Sequence, residues 1–191
     1  QHATGAERAA FTLLNEADAF MAKRDLAAAS EKLGEALQIV RHPPPSRWMT
    51  WRYSTHCYAS LGELALARGD PATAAGFADQ SLAIAVPTRS RKFESRAWRI
   101  KGEIAIMRRH WVAAEEALRQ SLAIAQEIDE PRQLWKSHVS IGRLNRELKR
   151  VDAADRSHHA ASEILERLLG NARDPGLRAG LELQLRGLRE P

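Results

Sequence analysis

The chain has 191 residues, of which 44% are hydrophobic, and its formal net charge is +5. This apolar fraction excludes an intrinsically disordered chain, while the single cysteine excludes an internal disulfide and favours a reducing, cytoplasmic compartment. No apolar run reaches the roughly 18 residues of a membrane span, so we expect no membrane partner.

Apolar residues recur at three- and four-residue spacing, as in Ile100, Ile104 and Met107, whereas the alternation that strands require does not occur. Cap residues mark the ends of these stripes. Asp70 suits an N-cap with Pro71 in the first helical turn, and Asp174-Pro175 repeats this pattern. The sequence therefore predicts an all-α protein. In chain order, its nine predicted helices cover about residues 7–23, 26–40, 48–68, 71–86, 91–108, 111–128, 131–148, 151–169 and 175–189.

The first eight predicted helices form four similar pairs. Corresponding alanines follow one another at steps of 45, 40 and 40 residues, and the longer first step contains the proline-rich insertion Arg41–Arg47. Such a period is typical of stacked helical repeats, in which each unit buries its apolar face against its neighbours. We predict one domain over residues 1–191, with repeats at about 7–47, 48–90, 91–130 and 131–170 and a capping helix at about 175–189. The aligned alanines are Ala29, Ala74, Ala114 and Ala154.

A second repeat position, in the first helix of three pairs, is glycine. Gly62, Gly102 and Gly142 occupy it, and Ala17 stands there in the first pair. Glycine inside a helix costs about 1 kcal/mol relative to alanine. Three glycines at one position therefore predict that two helices approach closely there.

The spacing of these small residues resembles the tetratricopeptide repeat. That family places a large residue before a small one in the first helix, with two further small residues in the second helix. Its usual period is 34 residues, so the chain resembles a long variety of the family, although HEAT and armadillo units also have periods near 40. The resemblance implies a right-handed α-solenoid of antiparallel helix hairpins that binds a protein or peptide segment. The matching sets are Tyr58-Gly62-Ala74-Ser81 and Trp98-Gly102-Ala114-Ser121, with weaker matches at Leu13-Ala17-Ala29-Ala36 and His138-Gly142-Ala154-Ala161.

The segment from Ile164 to Arg178 is similar to the end of large bacterial signalling proteins. Those proteins carry an ATPase, cyclase or DNA-binding module in front of a tetratricopeptide sensor. The chain also lacks an initiator methionine. We therefore expect a scaffold or sensor module from the C-terminal part of a larger bacterial regulator.

The family resemblance implies that the first helix of each unit lines a concave groove. In register, this groove is apolar and acidic towards the N-terminus and basic towards the C-terminus. Arginine forks bind carboxylates and phosphates bidentately, so an acidic or phosphorylated segment is the expected ligand. The predicted ligand-binding residues are His56, Glu63, Arg96, Arg99, Glu103, Lys136, Arg143 and Arg146.

Two other interpretations stay open. In the first, Glu63, Glu103 and Glu147 neutralise the arginines through ion pairs between helices. In the second, the positive charge serves RNA binding, although acidic side chains in the groove make a nucleic-acid partner unlikely. Trp48 and Trp51 are candidates for a partner contact or for anchors of the proline loop, whereas we expect Trp98 and Trp111 at interfaces between helices.

No motif for catalysis occurs in the sequence. It contains no GxxxxGK[ST], GxGxxG or GxSxG motif, no CxxC and no pair of histidines four residues apart. We therefore expect no enzymatic activity, no metal site and no cofactor. We expect Cys57 to be a small buried residue, and His158 and His159 to have structural or solvent-exposed roles.

Overall fold

A computed structural model describes residues 5–42 and 50–189. In these ranges the chain is all α and contains no strand. The predicted helices are confirmed within two residues at each end, apart from the start of α3, which borders residues 43–49. The predicted insertion after Arg41 and the Trp48 side chain lie outside the described residues. The helices are α1 (Gly5–Ala22), α2 (Leu26–Arg41), α3 (Thr50–Ala67), α4 (Pro71–Ala85), α5 (Arg91–Met107), α6 (Trp111–Glu127), α7 (Pro131–Glu147), α8 (Val151–Asn171) and α9 (Pro175–Arg189).

Side-chain caps explain where several helices begin. The Asp70 carboxylate accepts hydrogen bonds from the backbone N–H groups of Ala72 and Thr73, at 3.1 and 3.0 Å, which satisfies two donors that the first helical turn leaves free. Asp25 caps α2 in the same way. Asp174 accepts from the backbone of Leu177 at 2.7 Å, which confirms the predicted cap of α9.

Three-residue turns join the two helices of each pair. Every one of these turns contains a residue in the left-handed region, with φ between 58° and 77°. Glycine fills this position in the second turn, at Gly69, and is the residue that adopts such a φ most readily. The other three turns use Arg24, Arg109 and Lys149 instead.

The small residues lie where paired helices meet. Ala74 and Ala114 are fully buried. A Cβ atom added to Gly102 would lie 2.5 Å from Cδ2 of the buried Leu118, and one added to Gly142 would lie 2.2 Å from the His158 ring. These distances confirm that glycine allows close approach between the two helices of a pair.

Consecutive helices pack in series, and the odd-numbered helices α1, α3, α5 and α7 also lie side by side. Helix α9 covers the apolar end of the fourth pair, because Leu181 and Leu185 pack with Trp135 and Leu165. The same helix reaches α1, where the Gln184 side-chain amide donates to the backbone carbonyl of Ala22 at 3.2 Å. The first and last helices of the described chain are therefore in contact. None of the helices described is both long and apolar enough to cross a bilayer.

The glycine contacts predict opposite effects for two substitutions to alanine. Gly102→Ala should lower the free energy of unfolding by about 1–3 kcal/mol, because the new methyl group overlaps both Cγ and Cδ2 of the buried Leu118 and this side chain must shift. Gly76→Ala, in α4, should raise it by about 1 kcal/mol, because a Cβ at that position meets no atom within 4 Å. Urea unfolding followed by circular dichroism measures both changes. Equal effects at the two positions would contradict the role of Gly102 in close packing.

Candidate functional site

The structure brings five of the eight predicted ligand-binding residues together. They join two polar residues of α1 and α3 in what we call the ion-pair cluster. Its members come from the first helices of the four pairs, α1, α3, α5 and α7, because residues at equivalent repeat positions face the same side of the array. The cluster consists of Asp18, His56, Ser60, Glu63, Arg96, Arg99 and Lys136.

Arg96 is the centre of the cluster. Its Nη2 atom donates to Asp18 Oδ1 at 3.0 Å and to Glu63 Oε2 at 2.5 Å, and its Nε atom donates to Glu63 Oε1 at 3.1 Å. Only 4% of the Arg96 surface is exposed. One guanidinium thus binds two carboxylates from two other helices, and charge-assisted bonds in a water-poor environment are the stronger kind.

Helix α3 also holds the Asp18 carboxylate directly. His56 Nε2 lies 2.8 Å from Asp18 Oδ2, and the Ser60 hydroxyl donates to Asp18 Oδ1 at 2.8 Å. The His56 ring packs against Phe93 with centroids 5.1 Å apart. These contacts connect α1 with α3, while the bond from Arg96 connects α1 with α5.

The charges in the cluster fix its protonation state. Burial alone would favour neutral Glu63, but the cations of Arg96, Lys136 and Arg99 outweigh burial and hold the pKa of Glu63 well below its ordinary value. The pKa of Asp18 is lowered in the same way, against burial, by Arg96 and His56. Both carboxylates are therefore ionised at neutral pH.

The cluster contains more cations than anions. Three permanently basic side chains, Arg96, Arg99 and Lys136, face the carboxylates of Asp18 and Glu63. The Glu63 carboxylate favours the Lys136 ammonium, but burial and repulsion from the two arginines lower the pKa of Lys136. Its Nζ atom lies 3.9 Å from Glu63 Oε1, and the Lys136 side chain is 34% exposed. Lys136 is thus the cation of the cluster with the weakest partner and the best access to solvent.

The remaining predicted residues lie outside the cluster. Arg143 Nη1 donates to Glu103 Oε2 at 2.8 Å, and Arg146 Nη2 contacts His158 Nδ1 at 3.0 Å. The first of the two open interpretations predicted ion pairs between helices. The structure contains such pairs for Glu63, with Arg96 and Arg99, and for Glu103, with Arg143. Glu147 forms no ion pair with any residue in the described ranges. A ligand-binding role for the eight residues stays a prediction.

The predicted ligand-binding residues include neither Asp18 nor Ser60. In the repeat register, Asp18 of the first unit is equivalent to Glu63 of the second, and this shared carboxylate was the available signal. The signal that was lacking is the contact between Asp18 and Arg96, which are two units apart in sequence. Such a contact depends on how three consecutive units are placed relative to one another.

The structure also describes the packing and exposure of the tryptophan and cysteine side chains discussed in the sequence analysis. Trp111 packs in the apolar cluster with Ile106 and Leu144, as expected for an interface residue. Trp51 is 38% exposed. Cys57 is fully buried, and burial raises the pKa of its thiol to about 12, as expected for a small core residue. Within residues 5–42 and 50–189, no three His, Cys, Asp or Glu side chains form a group that suits a metal ion.

Comparison with known proteins returned no match, either to a family model or to a curated protein.

Removal of the Glu63 charge should strongly destabilise the fold. In Glu63→Gln, Arg96 and Arg99 would stay buried without their shared carboxylate, which typically costs about 3–5 kcal/mol. Because the pKa of Glu63 is lower in the folded chain than its ordinary value of 4.5, its contribution is complete above that pH and is lost as the pH falls further. The stability difference between wild type and variant should therefore be constant near neutrality and shrink in acid. Urea titrations at several pH values measure it.

The matched control is Glu116→Gln, which removes the carboxylate of an exposed ion pair with Arg119. Solvent screens such a pair, so this variant should unfold like the wild type. Equal stability of the two variants would show that the cluster does not hold the helices together.

The Cys57 thiol should not react in the folded chain. It is buried and stays protonated, and only the thiolate is nucleophilic. We expect a thiol reagent such as dithionitrobenzoate to label it only at the rate of unfolding, and therefore faster in Glu63→Gln. Labelling of the wild type at the rate of a free thiol would contradict the position of Cys57 in the core.

Proposed function

We propose that the chain is a non-enzymatic binding module of the tetratricopeptide type. In this proposal each helix pair is an antiparallel hairpin, the hairpins stack into a right-handed solenoid, and the solenoid binds a segment of another protein. The observation that carries the proposal is the recurrence of the close-packing residues in successive pairs. Gly102 beside Leu118 and Gly142 beside His158 occupy the same place in two of them.

The surface between units supports a binding role. A shallow groove between α6 and α7 is lined by Leu118, Leu122 and Ile141. A second groove, lined by Gly34 and Leu61, lies between α2 and α3, the equivalent place two helix pairs earlier. Repeated units thus present repeated apolar surface between polar side chains. Stacked arrays use such extended surfaces for contacts with other chains. We further propose that the module belongs to a larger bacterial regulator and acts there as its sensor or scaffold.

A selection from a random peptide library tests this function. The purified chain should enrich a family of related peptides, and synthetic versions should bind in isothermal titration calorimetry with one site and a Kd of about micromolar size. They should bind the heat-unfolded chain much more weakly. Failure to enrich related peptides, together with single-stranded RNA binding that weakens steeply with salt, would overturn the proposal in favour of a nucleic-acid partner.

A further inference from the structure

The four turns that join the two helices of a pair lie at one edge of the molecule, which we call the turn edge. It comprises residues 23–25, 68–70, 108–110 and 148–150. Arginine side chains connect the second and third turns to the preceding unit. Arg68 donates to the carbonyl of Leu26, and Arg108 donates to the carbonyl of Pro71 at the equivalent position one unit later. Arg150 in the fourth turn pairs with Glu115 in the first part of α6.

Basic side chains dominate the turn edge. Its four turns contain seven lysines and arginines but only two acidic residues, Asp25 and Asp70, and both carboxylates cap helices. Four of the basic side chains are exposed and form no ion pair with any other part of the described chain. These four are Lys23, Arg24, Arg109 and Lys149. The cations of the ion-pair cluster, in contrast, have carboxylate partners within the protein.

The backbone at three of these cations is strained. Arg24, Arg109 and Lys149 have φ values of 61°, 58° and 58°, in the left-handed region that L-residues avoid. Gly69 occupies the equivalent position of the second turn, so the fold accepts glycine there. Residues that keep a strained conformation where glycine would fit are candidates for a functional role of the side chain.

Apolar side chains accompany the cations at the third and fourth turns. Val112 is 83% exposed, more than any other large hydrophobic residue in the described ranges, and Val151 is 64% exposed. Each follows its turn closely, at the second residue of α6 and the first residue of α8. Exposed apolar side chains close in sequence to unpaired cations occur on surfaces that another protein covers.

We propose that an acidic segment of a partner protein, carrying apolar side chains, docks on the turn edge at the third and fourth turns. Its carboxylates pair with Arg109 and Lys149, and its apolar side chains cover Val112 and Val151. Charge complementarity selects this partner, because these cations lack anions of their own. The exposed valines favour a protein partner over a single-stranded nucleic acid, because nucleic-acid bases stack on aromatic side chains. This proposal rests on the proposed binding function, to which it adds the surface that binds and the chemical class of the ligand.

The test uses the full chain and the peptides selected from the random library. The double variant Arg109→Gly with Lys149→Gly removes two charges and also relieves the strained backbone. It should be at least as stable as the wild type, yet bind acidic peptides about tenfold more weakly, as expected for two lost ion pairs. A merely structural role of the two residues would move stability and affinity together. Val112→Ser should also weaken binding without a change in folding.

The matched control is Arg132→Gln with Arg167→Gln. These two exposed residues lie in α7 and α8, at the ends of these helices opposite the fourth turn, and their replacement removes the same number of positive charges. The control should bind like the wild type, which separates a local contact from a general charge effect. Calorimetry at two salt concentrations gives the affinities, and circular dichroism gives the stabilities.

The outcomes distinguish the inference from the proposed function. If the library yields no binding peptide, the proposed function fails. If peptides bind but depend on Lys136 and Arg143 rather than on Arg109 and Lys149, the function stands and the turn-edge assignment is wrong. Binding to phosphatidylserine vesicles or to poly(U) RNA that Arg109→Gly with Lys149→Gly abolishes, without any effect of that variant on peptide binding, would also overturn the assignment.

Discussion

The interaction on which the structure depends most is the sharing of two carboxylates by Arg96. This guanidinium is buried between Asp18 of α1 and Glu63 of α3, so it fixes the position of α5 relative to both helices. Burial of a charge is costly unless a partner compensates it, and here each carboxylate serves several donors. Any rearrangement that moved α1 away from α5 would leave Arg96 with a single carboxylate partner.

Close packing within the pairs accompanies this cluster. Gly102 and Gly142 let the two helices of the third and fourth pairs approach each other. Arg68 and Arg108 add contacts at the turns, where each reaches a carbonyl of the preceding unit. The repeat thus combines an apolar interface, an arginine link at one edge and ion pairs among the first helices of the units. Each has a different dependence on pH and salt, and only the ion pairs respond to acid.

The sequence predicted the helices well because they depend on local signals. Apolar spacing and Asp70 as a cap are visible in short stretches of chain, and the recurrence of Gly62, Gly102 and Gly142 predicted the close packing found at Gly102 and Gly142. The arrangement of charges was predicted only in part. Register identifies which residues share a side, but whether Arg96 meets solvent or Asp18 depends on how three consecutive units are arranged. The sequence did not predict the turn edge, because a pattern of residues gives neither the backbone φ values of the turns nor the exposure of Val112.

The contact between Gln184 and the carbonyl of Ala22 alters how the array should come apart. A linear stack of repeats frays from its termini, because a terminal unit has one neighbour and its loss leaves the others intact. Here the helix that covers the last pair also touches the first helix. Detachment of α1 or of α9 breaks the same contact between them, so the opening of one end of the chain weakens the other end. The chain gains cooperativity of a kind that an open stack with the same number of units lacks.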